Sequence, residues 1–389
     1  MKVSFEKWVN KSWQHGSVKI ILPNQTSIVL GEALPDGMPV IMIKTWKVLF
    51  QLCSHNPSLA FGELYVSGDI ILSDVREVLQ VLVKSDTHFN HNQSRWTKLL
   101  GNVGVSVRKL LKKNTLKQNK KNIEDHYDLS NDFYALFLDQ GMAYSSGLYL
   151  HDEDDLAQAQ TNKLERIMSR VAGAESVLEI GCGWGGVQRL CEAQGIQYKG
   201  LTLSTEQAKY CNLHSSHGDI ALQDYRHETG QYDAIVSIEM IEAVGEEYLP
   251  SYFRTLKQCL KPNGRIMLQA IIIQDEYYDG YRKTLDFINK HIFPGGFLPC
   301  DTVIKAFAKQ VGLKVTDALS FGKCYAKTLN AWEDRFLERL EDIKKYGFDE
   351  RFIRKWQYYL AYCATGFNDG RINVVQYELQ HDTLRVDPI

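Results

Sequence analysis

The segment that most constrains the fold reads Val-Leu-Glu-Ile-Gly-Cys-Gly-Trp-Gly-Gly and covers residues 177–186. An apolar run ends in an acidic residue and then in a glycine-rich turn, as a buried parallel strand does where it meets a cofactor. Gly181, Gly183 and Gly185 allow positive φ angles and close approach of a ligand to the backbone. The following helix would direct its positive N-terminus at that ligand. The pattern predicts an adenosyl cofactor at the carboxyl edge of a parallel sheet.

Two cofactor classes fit this turn. Gly181, Gly183 and Gly186 satisfy the Gly-x-Gly-x-x-Gly spacing of dinucleotide sites. Glu179, two residues before the first glycine, instead matches the acidic position of enzymes that use S-adenosylmethionine (SAM). The tip of the next predicted strand reads Gly-Leu-Thr-Leu-Ser over 200–204 and lacks the acid that binds ribose in dehydrogenases. The residues therefore favour SAM over a nicotinamide dinucleotide.

Composition narrows the class of protein. A length of 389 residues predicts two or three structural units, and 44% hydrophobic with 24% charged residues is typical of globular proteins. A net charge of -2 gives no global field for nucleic acid. Eight scattered cysteines without a Cys-x-x-Cys pair indicate a reducing cytoplasmic compartment and predict no metal site. No window is long and apolar enough for a signal peptide or a membrane span, so we expect a soluble chain.

The charge is nevertheless uneven. Residues 95–121 contain nine basic and no acidic side chains, interleaved with valines and leucines. Such a segment can bind anionic lipid headgroups with about 1 kcal/mol per basic residue near the surface. A solvated linker is the alternative interpretation of the same residues. We therefore expect a basic linker, with peripheral contact to the inner face of a membrane as its functional interpretation.

The order of elements predicts three regions: a small N-terminal α/β domain over 1–90, the basic linker over 91–121, and a catalytic domain over 122–389. From residue 176 strands alternate with helices, which predicts an α/β fold with a parallel sheet covered on both faces. Long helical segments are expected at 330–346 and 350–367. The predicted strands of the catalytic domain cover 176–180, 197–202, 219–222, 232–237, 265–273, 314–320 and 373–379.

Several ordered motifs resemble one family, the cyclopropane-fatty-acyl-phospholipid synthases. Residues 61–69 resemble its N-terminal lipid-domain motif, and the matches continue through 122–133, Tyr144-Ser145, the glycine turn, 201–204 with Gln207, 222–226, 239–245, 291–296 and 358–363. The resemblance implies a class I SAM-dependent methyltransferase fold with helical insertions and a small N-terminal lipid-binding domain. It also implies transfer of one carbon from SAM to the cis double bond of a phospholipid acyl chain, a step of lipid biosynthesis.

The resemblance also assigns the site. The implied cofactor pocket consists of Tyr144, Ser145, Glu179, Gly181, Gly183, Gly185, Thr202, Leu203, Ser204, Gln207, Gln223 and Asp224. In the family a bound bicarbonate removes a proton during ring closure, held by a glutamate, a tyrosine, a cysteine and a histidine. The positions that correspond here are Glu242, Tyr325, Ser146 and Gln269. Cys363 matches a further cysteine associated with the active site.

Two of these positions depart from the family. Ser146 stands in place of the cysteine and Gln269 in place of the histidine. Both can donate hydrogen bonds to an anion, but glutamine cannot ionise or relay a proton. We therefore expect an altered proton-removal step. The product is then a cyclopropane, a methylene branch, or a methyl branch made with a partner reductase, and an inactive lipid- and SAM-binding protein is the remaining alternative. A homodimer is a further prediction.

Overall fold

The computed structural model describes residues 13, 16–32, 37–52, 56–89 and 130–382. The predicted basic linker at 91–121 and the first part of the 122–133 motif lie outside the described residues. The strands are β1 (Val18–Ile21), β2 (Ser27–Leu30), β3 (Val40–Ile43), β4 (Ile70–Leu72), β5 (Ser176–Ile180), β6 (Gln197–Thr202), β7 (Asp219–Leu222), β8 (Tyr232–Ile238), β9 (Leu260–Ile273), β10 (Leu313–Ser320) and β11 (Ile372–His381).

The helices follow in chain order, with 3₁₀ turns at Tyr225–His227, Ile241–Ala243 and Glu246–Tyr248. They are α1 (Lys47–Leu52), α2 (Pro57–Ser67), α3 (Val75–Phe89), α4 (Asn131–Ala135), α5 (Leu156–Arg170), α6 (Gly186–Gln194), α7 (Thr205–His214), α8 (Leu249–Cys259), α9 (Asp275–Tyr281), α10 (Phe287–His291), α11 (Asp301–Gln310), α12 (Gly322–Glu338), α13 (Leu340–Lys345) and α14 (Glu350–Asp369). None of these described helices combines the length and apolar character that crossing a bilayer requires.

The described chain forms two compact units. The first contains the described residues up to 89 together with Lys283–Ile292 and Leu340–Asp369. The second contains the described residues from 130 to 282, Phe293–Arg339 and the chain from Gly370 onward. Two segments of the predicted catalytic range, 283–292 and 340–369, thus belong to the same unit as the N-terminal residues.

The first unit has a four-stranded sheet in the order β2-β1-β3-β4. Helix α2, which carries the 61–69 motif, begins at the side-chain cap Asn56 and ends at Gly68, whose φ of 78° stops the helix. Gly62 lies against later residues of the unit, because a Cβ there would come within 2.6 Å of Phe287 and 2.7 Å of Tyr358. The glycine of this motif is therefore needed for close packing of α2.

The second unit has a seven-stranded sheet in the order β10-β11-β9-β8-β5-β6-β7. Strands β5 to β9 are parallel, as expected from the strand–helix alternation. Strand β11 is antiparallel to both β9 and β10, so the sheet is mixed at this edge. The alternation does not extend to β10 and β11, because the helices between them return the chain in the opposite direction.

Both faces of this sheet are covered, as the sequence predicts. On one face Tyr252 and Leu256 of α8 belong to an apolar cluster with Leu268 of β9. On the other face Ile167 of α5 belongs to a cluster with Met267. Adjacent residues of β9 thus enter opposite layers, which is the arrangement of a strand buried on both sides.

Candidate active site

The glycine turn after β5 has the predicted geometry. Gly181, Gly183 and Gly185 all have positive φ, at 83°, 52° and 79°. Gly185 is the first residue before α6 and directs the helix N-terminus toward the end of the strand. A Cβ on Gly185 would lie 2.7 Å from the Gln188 side-chain oxygen, so the turn has no room for a larger residue.

A cavity of about 430 Å³ opens at the carboxyl ends of β5, β6 and β8. Its volume is within the range of sites for small cofactors. Among the predicted cofactor residues, those that line it are Tyr144, Ser145, Glu179, Gly181, Gly183, Thr202, Leu203, Gln207, Gln223 and Asp224. Gly185 and Ser204 are not among the lining residues. They begin helices α6 and α7, and the Ser204 hydroxyl accepts a hydrogen bond from the Gln207 N–H at 3.3 Å.

Two acidic residues of the cavity differ in charge. Glu179 is buried and accepts a hydrogen bond from the Tyr198 hydroxyl at 2.5 Å. Burial raises the pKa of Glu179 to about 8. Asp224 accepts two hydrogen bonds from the Arg226 guanidinium, at 2.9 and 2.7 Å. Although burial opposes it, the Arg226 hydrogen bond lowers the pKa of Asp224, so this carboxylate is the charged one.

The proton-removal residues named from the sequence meet around a residue that the sequence reasoning passed over. Glu239 lines the cavity directly after β8. Its Oε1 accepts hydrogen bonds from the Ser146 backbone N–H at 2.9 Å and the Gln269 side chain at 2.7 Å. Its Oε2 accepts one from the Tyr325 hydroxyl at 2.6 Å. Ser146, Gln269 and Tyr325 are therefore brought together, and the group between them is the Glu239 carboxylate.

The environment of Glu239 acts on its charge in two directions. Burial raises the pKa of Glu239 above 4.5, whereas the hydrogen bonds from Tyr325, Ser146 and Gln269 and the positive charge of Lys163 oppose that rise. The backbone is unusual as well, because Glu239 has a φ of 50°, a left-handed value that is uncommon outside glycine. Such strain is found at functional sites where the surrounding structure enforces it.

Lys163 supports the same wall of the cavity. It is buried on α5, and its ammonium donates to the Ser145 hydroxyl at 2.7 Å and to the Gln160 side-chain oxygen at 2.5 Å. Gln160 in turn donates to the Ser145 carbonyl at 2.8 Å. Burial lowers the pKa of Lys163 to about 8. These contacts fix the segment from which Ser146 donates to Glu239.

Glu242 lies one 3₁₀ turn further along the chain and has different contacts. Its Oε1 accepts a hydrogen bond from the Ile271 N–H at 2.5 Å, and its buried Oε2 has no partner among the described residues. Burial and the nearby Glu239 charge raise the pKa of Glu242 to about 8. The structure thus separates Glu242 from the Ser146, Gln269 and Tyr325 donors, and its catalytic role stays a prediction.

Cys363 lies on α14 of the first unit and is not among the residues that line the cavity. Burial raises the pKa of its thiol, so the residue is a neutral thiol near neutral pH. The family role suggested for this cysteine stays a prediction. Bicarbonate stays one too, although the donors assigned to it are already bonded to Glu239.

Glu239 and Lys163 are the site residues that sequence reasoning missed. A signal for Glu239 was present, because it follows a predicted strand at the edge where parallel sheets place their ligands. For Lys163 the signal was weaker: it shares one face of an amphipathic helix with Gln160, three residues earlier. Their function depends on contacts with segments far away in sequence, which no local pattern indicates.

Comparison with known proteins identifies the family. A family model described as mycolic acid cyclopropane synthetase matches residues 114–377. The chain belongs to this family. Among its relatives, tuberculostearic acid methyltransferase UfaA1 of Mycobacterium tuberculosis is 36% identical over 358 residues, covering 88% of this chain and 83% of the relative. Cyclopropane-fatty-acyl-phospholipid synthase of Escherichia coli K12 is 37% identical over 262 residues, covering 65% and 66%.

Solved structures of mycolic acid cyclopropane synthetase family members superpose on this chain. The cyclopropane synthase MmaA2 from Mycobacterium tuberculosis has a TM-score of 0.63 at 28% identity and covers 67% of this chain and 97% of its own. The synthase CmaA1, solved in complex with SAH and CTAB, has a TM-score of 0.63 at 30% identity, with coverages of 67% and 98%. These findings confirm the predicted class I SAM-dependent methyltransferase fold, SAM as cosubstrate, and the reaction class of one-carbon transfer to unsaturated acyl chains.

Proposed function

We propose that this enzyme methylates the cis double bond of an unsaturated phospholipid acyl chain and that Glu239 removes the proton that completes the reaction. The observation that carries the proposal is the placement of the Glu239 carboxylate on three hydrogen-bond donors in the cavity wall. We further propose that the product is a methylene-branched chain. The cyclopropane product is the alternative that the same experiment detects.

The cavity suits a SAM-dependent alkylation. SAM supplies an electrophilic methyl group to the alkene, which is a weak nucleophile and requires in-line positioning. Its adenosyl part would be held by the glycine turn and by Gln223 and Asp224. Addition of the methyl group leaves a cation on the neighbouring carbon of the acyl chain. Tyr144 lines the cavity and contacts the Trp332 ring at 5.3 Å between centroids, so aromatic faces are available to stabilise that cation.

Glu239 is suited to accept the proton. General bases in enzymes are often carboxylates whose pKa has been raised by burial, which is the direction found for Glu239. The donors Ser146, Gln269 and Tyr325 fix both of its oxygens, so the base needs no reorganisation at the moment of reaction. In this proposal a tethered carboxylate takes the part that a bound bicarbonate has in the related synthases.

The same hydrogen bonds bear on the product. Ring closure and methylene formation both remove one proton from the transferred methyl group, but methylene formation follows a hydride shift that produces a tertiary cation. A carboxylate that already accepts three hydrogen bonds is a weaker base than a free one. Slower proton removal gives the hydride shift time to occur, which favours the methylene branch. A methyl branch would then require reduction of the new double bond by a separate reductase.

The phospholipid surface is the proposed partner. In the first unit Trp46 and Phe50 are 48% and 80% exposed, and a spacing of four residues places both on one face of α1. The exposed Lys44 and Lys47 flank them, and residues 41–52 contain no acidic side chain. Exposed aromatic residues beside lysines are typical of surfaces that enter the headgroup layer of anionic membranes. The seven free cysteines of the described residues support placement at the inner, reducing face of the membrane.

Product analysis tests the proposal. The enzyme is incubated with SAM and vesicles of dioleoyl phosphatidylglycerol, and the released fatty acid methyl esters are analysed by mass spectrometry. We expect a gain of one carbon as a methylene branch with the wild type. Glu239→Gln is expected to lower turnover by about 100-fold or more, the usual contribution of a general base. Full turnover in this variant would reject Glu239 as the base.

Glu242→Gln is the matched control, because it removes a carboxyl group three residues away without changing its size. Since the pKa of Glu242 is about 8, the residue is mostly neutral at pH 7 and the amide is a close substitute. We expect this variant to keep most of its turnover. Loss of turnover here, with full turnover in Glu239→Gln, would instead assign proton removal to Glu242. Binding of S-adenosylhomocysteine, measured by calorimetry, is expected to be preserved in both variants.

A further inference from the structure

A line of hydrogen-bonded side chains runs from the cavity wall through the sheet. The Gln269 amide of β9 donates to Glu239 at 2.7 Å and accepts from the Gln376 amide of β11 at 2.9 Å. The Gln376 oxygen accepts from the guanidinium of Arg166 on α5 at 2.9 Å. The second nitrogen of Arg166 donates to Asp317 of β10 at 2.6 Å. Four elements of one unit thus contribute to a single line that ends on Glu239.

This line has a fixed direction. A guanidinium has five N–H donors and no acceptor, so Arg166 can contact only the oxygen end of the Gln376 amide. The nitrogen end of Gln376 must then face Gln269, which has to present its oxygen. The nitrogen end of Gln269 is consequently directed at Glu239. The orientation of two amides, each of which could otherwise rotate by 180°, follows from the charge on one arginine.

Burial and strand register make this constraint strict. Gln269 and Gln376 are directly opposite each other in the antiparallel β9–β11 pair, and both side chains are buried. Water therefore cannot replace a donor or acceptor that turns the wrong way, and a mismatched amide would leave buried polar atoms unpaired. If Gln269 turned over, its oxygen would face the Glu239 carboxylate, which would lose a donor and meet a repulsive dipole.

We propose that Arg166 is a positioning residue for the reaction, which acts on Glu239 through Gln376 and Gln269 without touching the cavity. The proposal rests on the proposed role of Glu239 as the base. Arg166 is not among the residues that line the cavity, whereas Gln160, Lys163 and Leu164 of the same helix are. Its effect on catalysis would be transmitted by amide orientation, and the residue itself would not meet the substrate.

The acidic limb of the pH profile is the readout, because the Gln269 donor favours the ionised form of Glu239. The other groups that act on this carboxylate are Tyr325, Lys163 and Glu242, and none of them is changed by a substitution at Arg166. In Arg166→Met the amides lose the fixed direction and Glu239 loses its Gln269 donor. We expect the acidic limb of kcat to move upward by about one pH unit, the size expected for loss of one charge-assisted hydrogen bond.

Three further variants separate positioning from general damage to the fold. Arg166→Lys keeps a donor-only cation and is expected to restore the wild-type limb. Arg170→Met is the matched control, because Arg170 also contacts Asp317, at 3.1 Å, but its contacts with Asp317 and Glu378 leave the glutamine line intact. Gln376→Met breaks the line at its centre with little change in size, and we expect the same upward movement as in Arg166→Met. Thermal unfolding of each variant shows whether it is folded.

The assay follows release of S-adenosylhomocysteine from SAM with dioleoyl phosphatidylglycerol vesicles between pH 5 and 8.5. An acidic limb that is unchanged in both Arg166→Met and Gln376→Met overturns the positioning role. So does a loss of kcat that is equal at every pH, which is what a merely structural role would produce. Failure of the proposed base is distinguishable, because it appears as full turnover in Glu239→Gln whatever the Arg166 variants do.

Discussion

Glu239 and Glu242, three residues apart, show how local contacts give two carboxyl groups different chemistry. Three hydrogen bonds and the charge of Lys163 favour the ionised form of Glu239 against the effect of burial. Glu242 has a single backbone donor and a pKa of about 8, so it holds its proton at neutral pH. Neighbouring carboxyl groups whose environments differ in this way are the usual arrangement in acid–base sites. The ionised group is the one that lines the cavity.

The charge of Glu239 predicts the pH dependence of the reaction. A base must be deprotonated to act, so kcat should fall as the pH drops through the pKa of Glu239 and reach a plateau above it. Because burial raises that pKa, the fall should begin above the range of an ordinary glutamate near 4.5. The measurement is kcat against pH at saturating SAM and lipid. Glu242→Gln should retain this limb, and its disappearance in that variant would contradict the assignment.

At the scale of elements, the turn between β5 and α6 combines backbone conformation with tight packing. Gly185→Ala should both strain the turn, by about 1–2 kcal/mol for a left-handed alanine, and push the new Cβ against Gln188 and Cys211. We expect S-adenosylhomocysteine to bind about tenfold more weakly or worse, as measured by calorimetry.

Gly195→Ala is the matched control at the other end of α6. Gly195 has a similar φ of 66°, but nothing lies within 4 Å of a Cβ built there. It should lower the melting temperature through the same strain while leaving cofactor affinity within about twofold of the wild type. Equal losses of affinity in the two variants would show that general destabilisation, rather than the turn itself, controls binding.

The position of β11 is a second feature decided at the scale of elements. It lies between β9 and β10 and is antiparallel to both, which brings Gln376 opposite Gln269. A shift of one residue would turn the Gln376 side chain to the other face of the sheet. The register of this pair, rather than either glutamine by itself, therefore makes the hydrogen-bonded line to Glu239 possible.

At the scale of the whole molecule, the net charge of -2 gives little attraction to an anionic surface. Membrane binding in our proposal depends instead on the local patch of Lys44, Trp46, Lys47 and Phe50. We expect Trp46→Ala with Phe50→Ala to weaken cosedimentation with vesicles of dioleoyl phosphatidylglycerol by about tenfold or more, since two exposed aromatic side chains can no longer enter the interface. Binding of the wild type should also weaken as salt rises.

Leu213→Ala is the control for this experiment, because Leu213 is a large apolar residue of the second unit that is 81% exposed. It should bind vesicles like the wild type. The double variant should keep its affinity for S-adenosylhomocysteine, which shows that the second unit is folded. Vesicle binding that is equal in the double variant and the wild type would place the membrane contact elsewhere in the chain.

The sequence by itself determined the fold and the cofactor of this protein. The strands at 176–180, 197–202 and 219–222 agree with the structure to the residue, because apolar runs and turn residues are local signals. The glycine turn is likewise local, since positive φ angles are encoded by the glycines themselves. The family motifs then identified SAM and the reaction class, which the comparisons confirm.

Only the tertiary structure decided which groups meet at the reacting end of the cavity. The motif at 239–245 contains two glutamates, and a motif match pointed to Glu242, yet the left-handed backbone at Glu239 turns that residue to Ser146, Gln269 and Tyr325. Its partners come from the chain before β5, from β9 and from α12, more than 85 residues apart at the extremes. Hydrogen-bond direction and charge depend on such long-range contacts, so they became visible only once the chain was folded.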